Sequence, residues 1–189
     1  MDKRVGALIL AAGFSNRFGS VKLLARLENG LTVFEQTQQQ LAAAIPEYCV
    51  ITRPELSDAL APYSNRLQVF QEAERGMGAT LAFGIGLASA WDTCLVCLAD
   101  MPMITSTVYR QIADASASDK IIVPNFAGQS GNPVAFGSAF YGELSTLTGD
   151  AGGRPVLRQH PDAVVTLTVD SEAILQDIDT PDDLTRLQR

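Results

Sequence analysis

The sequence predicts an α/β protein, a three-layer α/β/α sandwich on a mostly parallel sheet. Three observations carry this prediction. Short apolar runs alternate along the chain with longer amphipathic ones, the pattern of successive βα units. Some short runs, Gly6-Ala7-Leu8-Ile9-Leu10-Ala11 above all, are apolar throughout, as central parallel strands covered by helices on both faces require. Polar or glycine-rich segments directly follow apolar strands at Gly13–Lys22, Asp100–Pro102 and Asn125–Pro133. In open parallel sheets the ligand crevice lies at the carboxyl ends of the strands, so the chemistry is expected in these segments.

Taken in order, Val5–Ala11 reads as a buried first strand and Val33–Ile45 as an amphipathic helix. Tyr48–Thr52 and Leu67–Phe70 are strand-like. A helix over Ala79–Trp91 is entered through Arg75-Gly76-Met77-Gly78, and its apolar positions continue through Leu87. Thr93–Ala99 is a strand, Ser106–Ser116 a helix, Ile121–Pro124 a strand, Ser138–Leu147 a helix and Val164–Val169 a strand. The last helix, Pro181–Leu187, has Thr180 as N-cap, Pro181 at its first position, and Asp182 and Asp183 where the helix dipole favours negative charge. No repeat, low-complexity tract or Pro/Gly/Ser-rich linker divides the 189 residues, which are expected to form a single domain.

The apolar content of 47% suits a globular protein, and no run approaches the roughly 18 uninterrupted apolar residues of a membrane span. Met1-Asp2-Lys3-Arg4 precedes an apolar run too short for a signal peptide, so the expected location is the cytoplasm. Three cysteines, Cys49, Cys94 and Cys97, are too few and odd in number for a disulfide framework, which fits a reducing compartment. A net charge of −7 lacks the electrostatic footprint of a nucleic-acid binder. Small phosphorylated ligands remain compatible, because a few local cations and backbone N–H groups suffice to hold phosphate.

The first strand runs into Leu10-Ala11-Ala12-Gly13-Phe14-Ser15-Asn16-Arg17-Phe18-Gly19-Ser20-Val21-Lys22. Small residues and two glycines let backbone N–H groups approach a ligand, and Arg17 and Lys22 supply charge for phosphate oxygens. A Walker A loop would place Lys directly after its second glycine, whereas Gly19 is followed by Ser20-Val21-Lys22-Leu23. A dinucleotide fingerprint is also excluded, since the Gly13–Gly19 segment lacks the middle glycine.

The pattern L-A-A-G-x-S-x-R-F-G-x-x-K resembles the signature loop of the MobA-like NTP transferases, most closely the molybdenum cofactor cytidylyltransferase branch. The resemblance spans Leu10 to Leu184, with several motifs in family order. It implies a Rossmann-like sheet of the nucleotide-diphospho-sugar transferase type. It also implies a loop, from Leu10, Ala11, Ala12, Gly13, Ser15 and Gly19, that wraps an NTP triphosphate while Arg17 and Lys22 contact the phosphates.

Asp100, in Leu98-Ala99-Asp100-Met101-Pro102, stands at the carboxyl end of an apolar strand, where Mg²⁺ could use one or two carboxylates plus substrate phosphates. L-A-D-M-P is similar to the family's metal-binding motif, with the aspartate holding Mg²⁺ against the α-phosphate. In Asp177-Ile178-Asp179-Thr180-Pro181 helix capping accounts for residues from Thr180 onward, but not for Asp177 and Asp179. In the family D-I-D-T-P closes the metal site, which makes Asp179, with Asp177 as the alternative, the second Mg²⁺ ligand.

Glycines at the helix entrance let backbone lie against a planar ligand, and free N–H groups there can read base edges. The resemblance assigns Gly76, Gly78 and Thr80 to the nucleobase and ribose. In the resembling families a glycine at the position of Ala12 goes with guanine and L-A-A-G goes with CTP, UTP or ATP, of which CTP is the first choice. Ser130-Gly131-Asn132-Pro133-Val134-Ala135-Phe136 and Gly149-Asp150-Ala151-Gly152-Gly153-Arg154 are similar to family elements, which implies an acceptor pocket with Asn132, Asp150 and Arg154 as acceptor-binding residues. A capping role for Asp150 at a helix start, with Arg154 a plain surface residue, is the alternative. Gly153 stands where relatives often have alanine.

Cys94-x-x-Cys97 invites a metal or redox reading, but residues three apart on a strand face opposite sides, so both cysteines are expected in the core. His160, the sole histidine, precedes Pro161 and is expected as a solvent-exposed loop residue outside any triad. The sum of these readings is a Mg²⁺-dependent transfer of CMP from CTP to the terminal phosphate of a molybdopterin-type cofactor, releasing pyrophosphate. Rival readings are a guanylyltransferase, an NTP transferase for another phosphorylated acceptor, and a non-catalytic nucleotide- and cofactor-binding chaperone. The partners implied are the NTP and a phosphorylated acceptor, with transient contact to a molybdoenzyme or its chaperone.

Overall fold

The structure is a computed structural model and describes residues 3–14 and 18–187. Its eight strands are β1 (Val5–Ala11), β2 (Tyr48–Thr52), β3 (Leu67–Val69), β4 (Thr93–Leu98), β5 (Ile121–Phe126), β6 (Gln129–Ser130), β7 (Val134–Gly137) and β8 (Val164–Thr168). The helices are α1 (Val33–Ala42), α2 (Pro54–Leu60), α3 (Met77–Leu87), α4 (Ser106–Ala115), α5 (Tyr141–Leu144), α6 (Arg154–Gln159) and α7 (Pro181–Leu187). All strands join one sheet in the order β3-β2-β1-β4-β7-β5, with β6 and β8 both pairing β5. The β1–β2, β1–β4, β2–β3 and β5–β8 pairs are parallel. β7 runs antiparallel between β4 and β5.

Alternation along the central strands divides the core into two layers. Ala7, Ile9, Val50, Leu95 and Cys97 face α1 and α4 through Phe34, Leu41, Tyr109 and Ile112. Leu8, Leu10, Ile51, Cys94 and Val96 face α3, α5 and α6 through Leu81, Ile85, Leu144 and Val156. The two cysteines therefore sit in opposite layers, as their spacing requires, and all three cysteines are free thiols.

Local chemistry sets the helix limits. α1 opens on a capping box: Thr32 Oγ1 accepts from the Glu35 N–H at 3.1 Å, and the Glu35 carboxylate accepts from the Thr32 N–H at 2.8 Å. It ends at Ala42, short of the expected Ile45, because Pro46 disfavours helical geometry at the residue before it. The C-terminal end of α4 is capped by Lys3, whose ammonium donates to the carbonyls of Ala113, Asp114 and Ser116 at 2.7, 3.1 and 2.8 Å.

The helix expected over Ser138–Leu147 is reduced to a 3-10 turn, Ser138–Phe140, and the four residues of α5. The hydroxyls of Ser145 and Thr146 bond the carbonyls of Gly142 and Glu143 and end it. The helix expected over Ala79–Trp91 begins at Met77 and stops at Leu87, after which Trp91 turns to donate from Nε1 to Glu47 at 2.8 Å. Strands β6 and β7 and helices α2 and α6 add to the expected elements. β5 and β6 form a hairpin whose two central residues, Ala127 and Gly128, take positive φ of 50° and 86°.

Candidate active site

The carboxyl ends of β1 and β4 open onto a cleft of about 640 Å³. Leu10, Ala11, Ala12 and Gly13 line it from β1 and its continuation, Asp100 from the residue block after β4, and Lys22 from the far end of the first loop. Lys22 starts a 3-10 turn, Lys22–Leu24, that is anchored in the core by buried Leu23. This anchoring holds the lysine stem while its ammonium reaches 2.6 Å from Asp100 Oδ2 and 3.0 Å from Asp179 Oδ1.

The C-terminal segment supplies its two carboxylates by simple alternation. Ile178 is fully buried in the α1/α4 layer, and its N–H donates to the Asp100 carbonyl at 3.0 Å. In an extended segment residues i and i+2 share a face, so anchoring Ile178 turns both Asp177 and Asp179 to the cleft. Thr180 and Asp183 then cap α7 reciprocally, with Asp183 Oδ2 accepting from the Thr180 N–H at 2.8 Å and Thr180 Oγ1 accepting from the Asp183 N–H at 3.2 Å. Sequence left Asp177 and Asp179 as alternatives, and the structure brings both to Asp100. Carboxylate oxygens of the three lie within 4.8 Å of one another, among the described residues the one such group able to hold a metal ion.

The electrostatics are those of a cation site. Asp100 Oδ1 is buried and accepts no hydrogen bond among the described residues. Burial pushes the Asp100 carboxyl above its ordinary value, opposed by the nearby Lys22 ammonium and reinforced by Asp177. For Lys22 burial acts downward, yet Asp100 and then Asp179 outweigh it and hold the ammonium above its usual range. Three hard oxygen donors, one of them with an unfilled buried lone pair, fit Mg²⁺ or Mn²⁺.

At the entrance of α3, Gly76 and Thr80 line the cleft, joined by Met77 and Glu74. Gly76 adopts φ 98°, and a Cβ there would fall 2.5 Å from Asp150 Oδ1 and 2.6 Å from the Gly149 carbonyl carbon. Gly78 donates its N–H to the Gly149 carbonyl at 2.6 Å. The close approach these two glycines permit is therefore to the backbone of residues 148–150, which seats Asp150 on the cleft wall. Gly78 itself, like Gly19, Asn132 and Arg154, is not among the lining residues. Asn132 bonds the Ile174 carbonyl through its N–H, and Arg154 is exposed at the first position of α6. Asp150 does not cap that helix, which is preceded by Gly153. Ser15 and Arg17 lie outside the described residues.

His160 departs from the expected exposed loop position. It follows α6 half-buried, with Nε2 2.7 Å from the Glu143 carboxylate and its ring 5.1 Å from that of Phe140. Sequence reading passed over Phe14, Glu74 and Met77 as cleft residues. Phe14 and Met77 are exposed large apolar side chains, at 47% and 43%. Their one signal in the sequence is an apolar residue beside a glycine in an otherwise functional segment.

The family model of the MobA-like NTP transferase domain matches residues 7–164, which include the β1 loop, the α3 entrance and Asp100. The chain belongs to the MobA-like NTP transferase family. Sequence and structure comparisons give further relatives, and the solved structures among them share the fold. The transferase is similar to nicotine blue oxidoreductase of Paenarthrobacter nicotinovorans, 25% identical over 97% of this chain and 96% of the other. It superposes on the Rv0371c protein of Mycobacterium tuberculosis with a TM-score of 0.87 and 26% identity, covering 100% of this chain and 98% of that one. A manganese complex of the same mycobacterial protein matches with a TM-score of 0.82 and 23% identity over 98% of each chain. This MobA-like transferase thus has a nucleotidyltransferase fold and carries an acidic cluster suited to a divalent metal ion. No helix among its described residues is long and apolar enough to cross a membrane.

Proposed function

We propose that the chain is a single-domain, Mg²⁺-dependent cytidylyltransferase that moves CMP from CTP to the terminal phosphate of a molybdopterin-type cofactor and releases pyrophosphate. The observation that carries this reading is the convergence of Lys22, Asp100, Asp177 and Asp179 beside the L-A-A-G segment at the carboxyl ends of β1 and β4. Asp100 and Asp179, with Asp177 beside them, hold the ion; the manganese bound by the mycobacterial relative is in keeping with such a site. A bound divalent cation lowers the electrostatic cost of bringing two phosphate groups together.

Lys22 and Arg17 neutralise the triphosphate, and the loop of Leu10, Ala11, Ala12, Gly13, Ser15 and Gly19 wraps it, with N–H groups beyond the end of β1 as donors. Gly76 and Thr80 form the base and ribose side, Gly78 seats the backbone of residues 148–150 beside them, and Ala12 favours cytosine over guanine. Asp150, on the cleft wall, orients the acceptor. An oxygen of the acceptor's phosphate forms a bond to the α-phosphorus of CTP, the bond from that phosphorus to the β-phosphate oxygen breaks, and pyrophosphate leaves. The acceptor is already ionised at neutral pH, so positioning and electrostatics supply the rate without a covalent intermediate. The enzyme works in the cytoplasm and meets the molybdoenzyme, or its chaperone, that receives the product.

The test is pyrophosphate release with CTP, GTP and ATP against molybdopterin-type acceptors in Mg²⁺. Release with CTP that is lost in Asp100→Asn supports the proposal. Release with GTP, or with another phosphorylated acceptor alone, moves the specificity. Nucleotide binding without release identifies a carrier, and an oxidation–reduction activity instead of release would place the chain with the oxidoreductase relative.

A further inference from the structure

Arg53 stands directly after β2 and outside the machinery assigned above. Parallel register sets Thr52 opposite Ala11, so the residue that follows β2 arrives beside the start of the β1 loop. Its guanidinium carbon lies 4.5 Å from the centroid of the Phe14 ring, a cation–π contact, and its Nη1 donates to the Glu55 carboxylate at 2.9 Å. The Arg53 side chain is 14% exposed, whereas Phe14, which lines the cleft, is 47% exposed. A Cβ on Gly13 would meet nothing within 4 Å, so the side-chain position just before Phe14 faces open space.

We propose that Arg53 is a positioning residue for the nucleotide loop and acts through Phe14. The loop is tethered at both ends: Lys22 is pinned by Asp100 and Asp179, and Phe14 is stacked under a guanidinium that Glu55 holds in place. The second tether fixes how far the segment after β1 stands from the cleft. The inference rests on reading that segment as the seat of the NTP phosphates. Arg53 is not a cleft-lining residue, so its effect on nucleotide reaches the ligand through the Phe14 ring and not by direct contact.

The variants are Arg53→Met, Arg53→Lys, Phe14→Leu and the double Arg53→Met/Phe14→Leu. Two readouts are used: amide exchange of peptides carrying Gly13 and Phe14, and calorimetric affinity for CTP with Mg²⁺. Arg53→Met is expected to speed exchange in those peptides with the β4 and β5 peptides unchanged, and to weaken CTP binding roughly fivefold, the worth of a partly exposed cation–π contact. Arg53→Lys keeps a cation over the ring and should recover most of both effects. Phe14→Leu should match Arg53→Met, and the double variant should be no worse than either single one. Additive losses in the double variant, or weaker CTP binding with unchanged exchange, overturn the proposal, as does wild-type behaviour of Arg53→Met in both readouts. If the wild-type chain binds none of CTP, ATP and GTP, the functional reading fails, while the exchange measurement still decides whether Arg53 orders the loop.

Discussion

Replacing Lys22 by Met removes the positive charge from a cluster of three carboxylates while keeping an unbranched stem. Lys22 Nζ is 2.6 Å from Asp100 Oδ2, and the two side chains are 10% and 17% exposed. Breaking a buried pair by deleting one partner costs about 3–5 kcal/mol, because the remaining charge stays desolvated. Asp179 is 33% exposed and partly screened by solvent, so the lower end, about 3 kcal/mol, applies. In a chain of this size that corresponds to a fall of roughly 6–12 °C in the thermal midpoint measured in chelator. The loss should be largely reversed by Mg²⁺ or Mn²⁺, since a divalent ion at a hundredfold its dissociation constant contributes about 2.7 kcal/mol. The wild-type protein should gain less from the same metal, because there the ion competes with the ammonium for Asp100 and Asp179. Scanning calorimetry in chelator and in metal reads all four midpoints. A chelated variant within about 2 °C of wild type, or an equal metal-induced shift in both proteins, would refute the reasoning.

Two further outcomes follow from named contacts. Asp100 has a carboxyl raised above 3.8 by burial, so the native state keeps this proton to higher pH than the unfolded chain, and ionising it costs stability as pH climbs through the folded value. Asp100→Asn deletes one partner of Lys22 and should start below wild type, but it should lose less stability than wild type as pH climbs through that window in chelator, while pyrophosphate release disappears; thermal midpoints that fall equally with pH in both proteins would sink this. Gly6→Ala would place a Cβ 1.9 Å from the Trp91 ring, whose indole is pinned to Glu47, and overpacking should cost about 1–3 kcal/mol in denaturant titration.

The central strands and the position of the cleft were legible because they follow from periodicity and from strands that end in polar segments. Asp177 and Asp179 were both visible as carboxylates that capping left unexplained, and the buried Ile178 between them shows why the choice between the two dissolves: alternation turns both the same way. Glycine was the less informative residue. At Gly76 and Gly78 it correctly announced a close approach, but the approaching partner is the backbone of residues 148–150, which lies far away in sequence. The Arg53–Phe14 contact was invisible for the same reason, since it depends on the register of β2 against β1. Strand β7 escaped because its four residues are too short a run between the polar segment ending at Pro133 and the helix expected from Ser138, and only pairing with both β4 and β5 makes it a strand.

The bond from the Ile178 N–H to the Asp100 carbonyl joins the end of the chain to its middle. Residues 7–164 hold most of the sheet, the nucleotide loop and one of the three clustered aspartates, but two of the three carboxylates arrive with the segment that follows Ile174. During synthesis the scaffold is therefore complete before its cation seat is. A chain still emerging from the ribosome has Lys22 balanced by Asp100 alone, and cleavage between Leu175 and Asp177 would cut Asp177 and Asp179 off from the scaffold that carries Asp100.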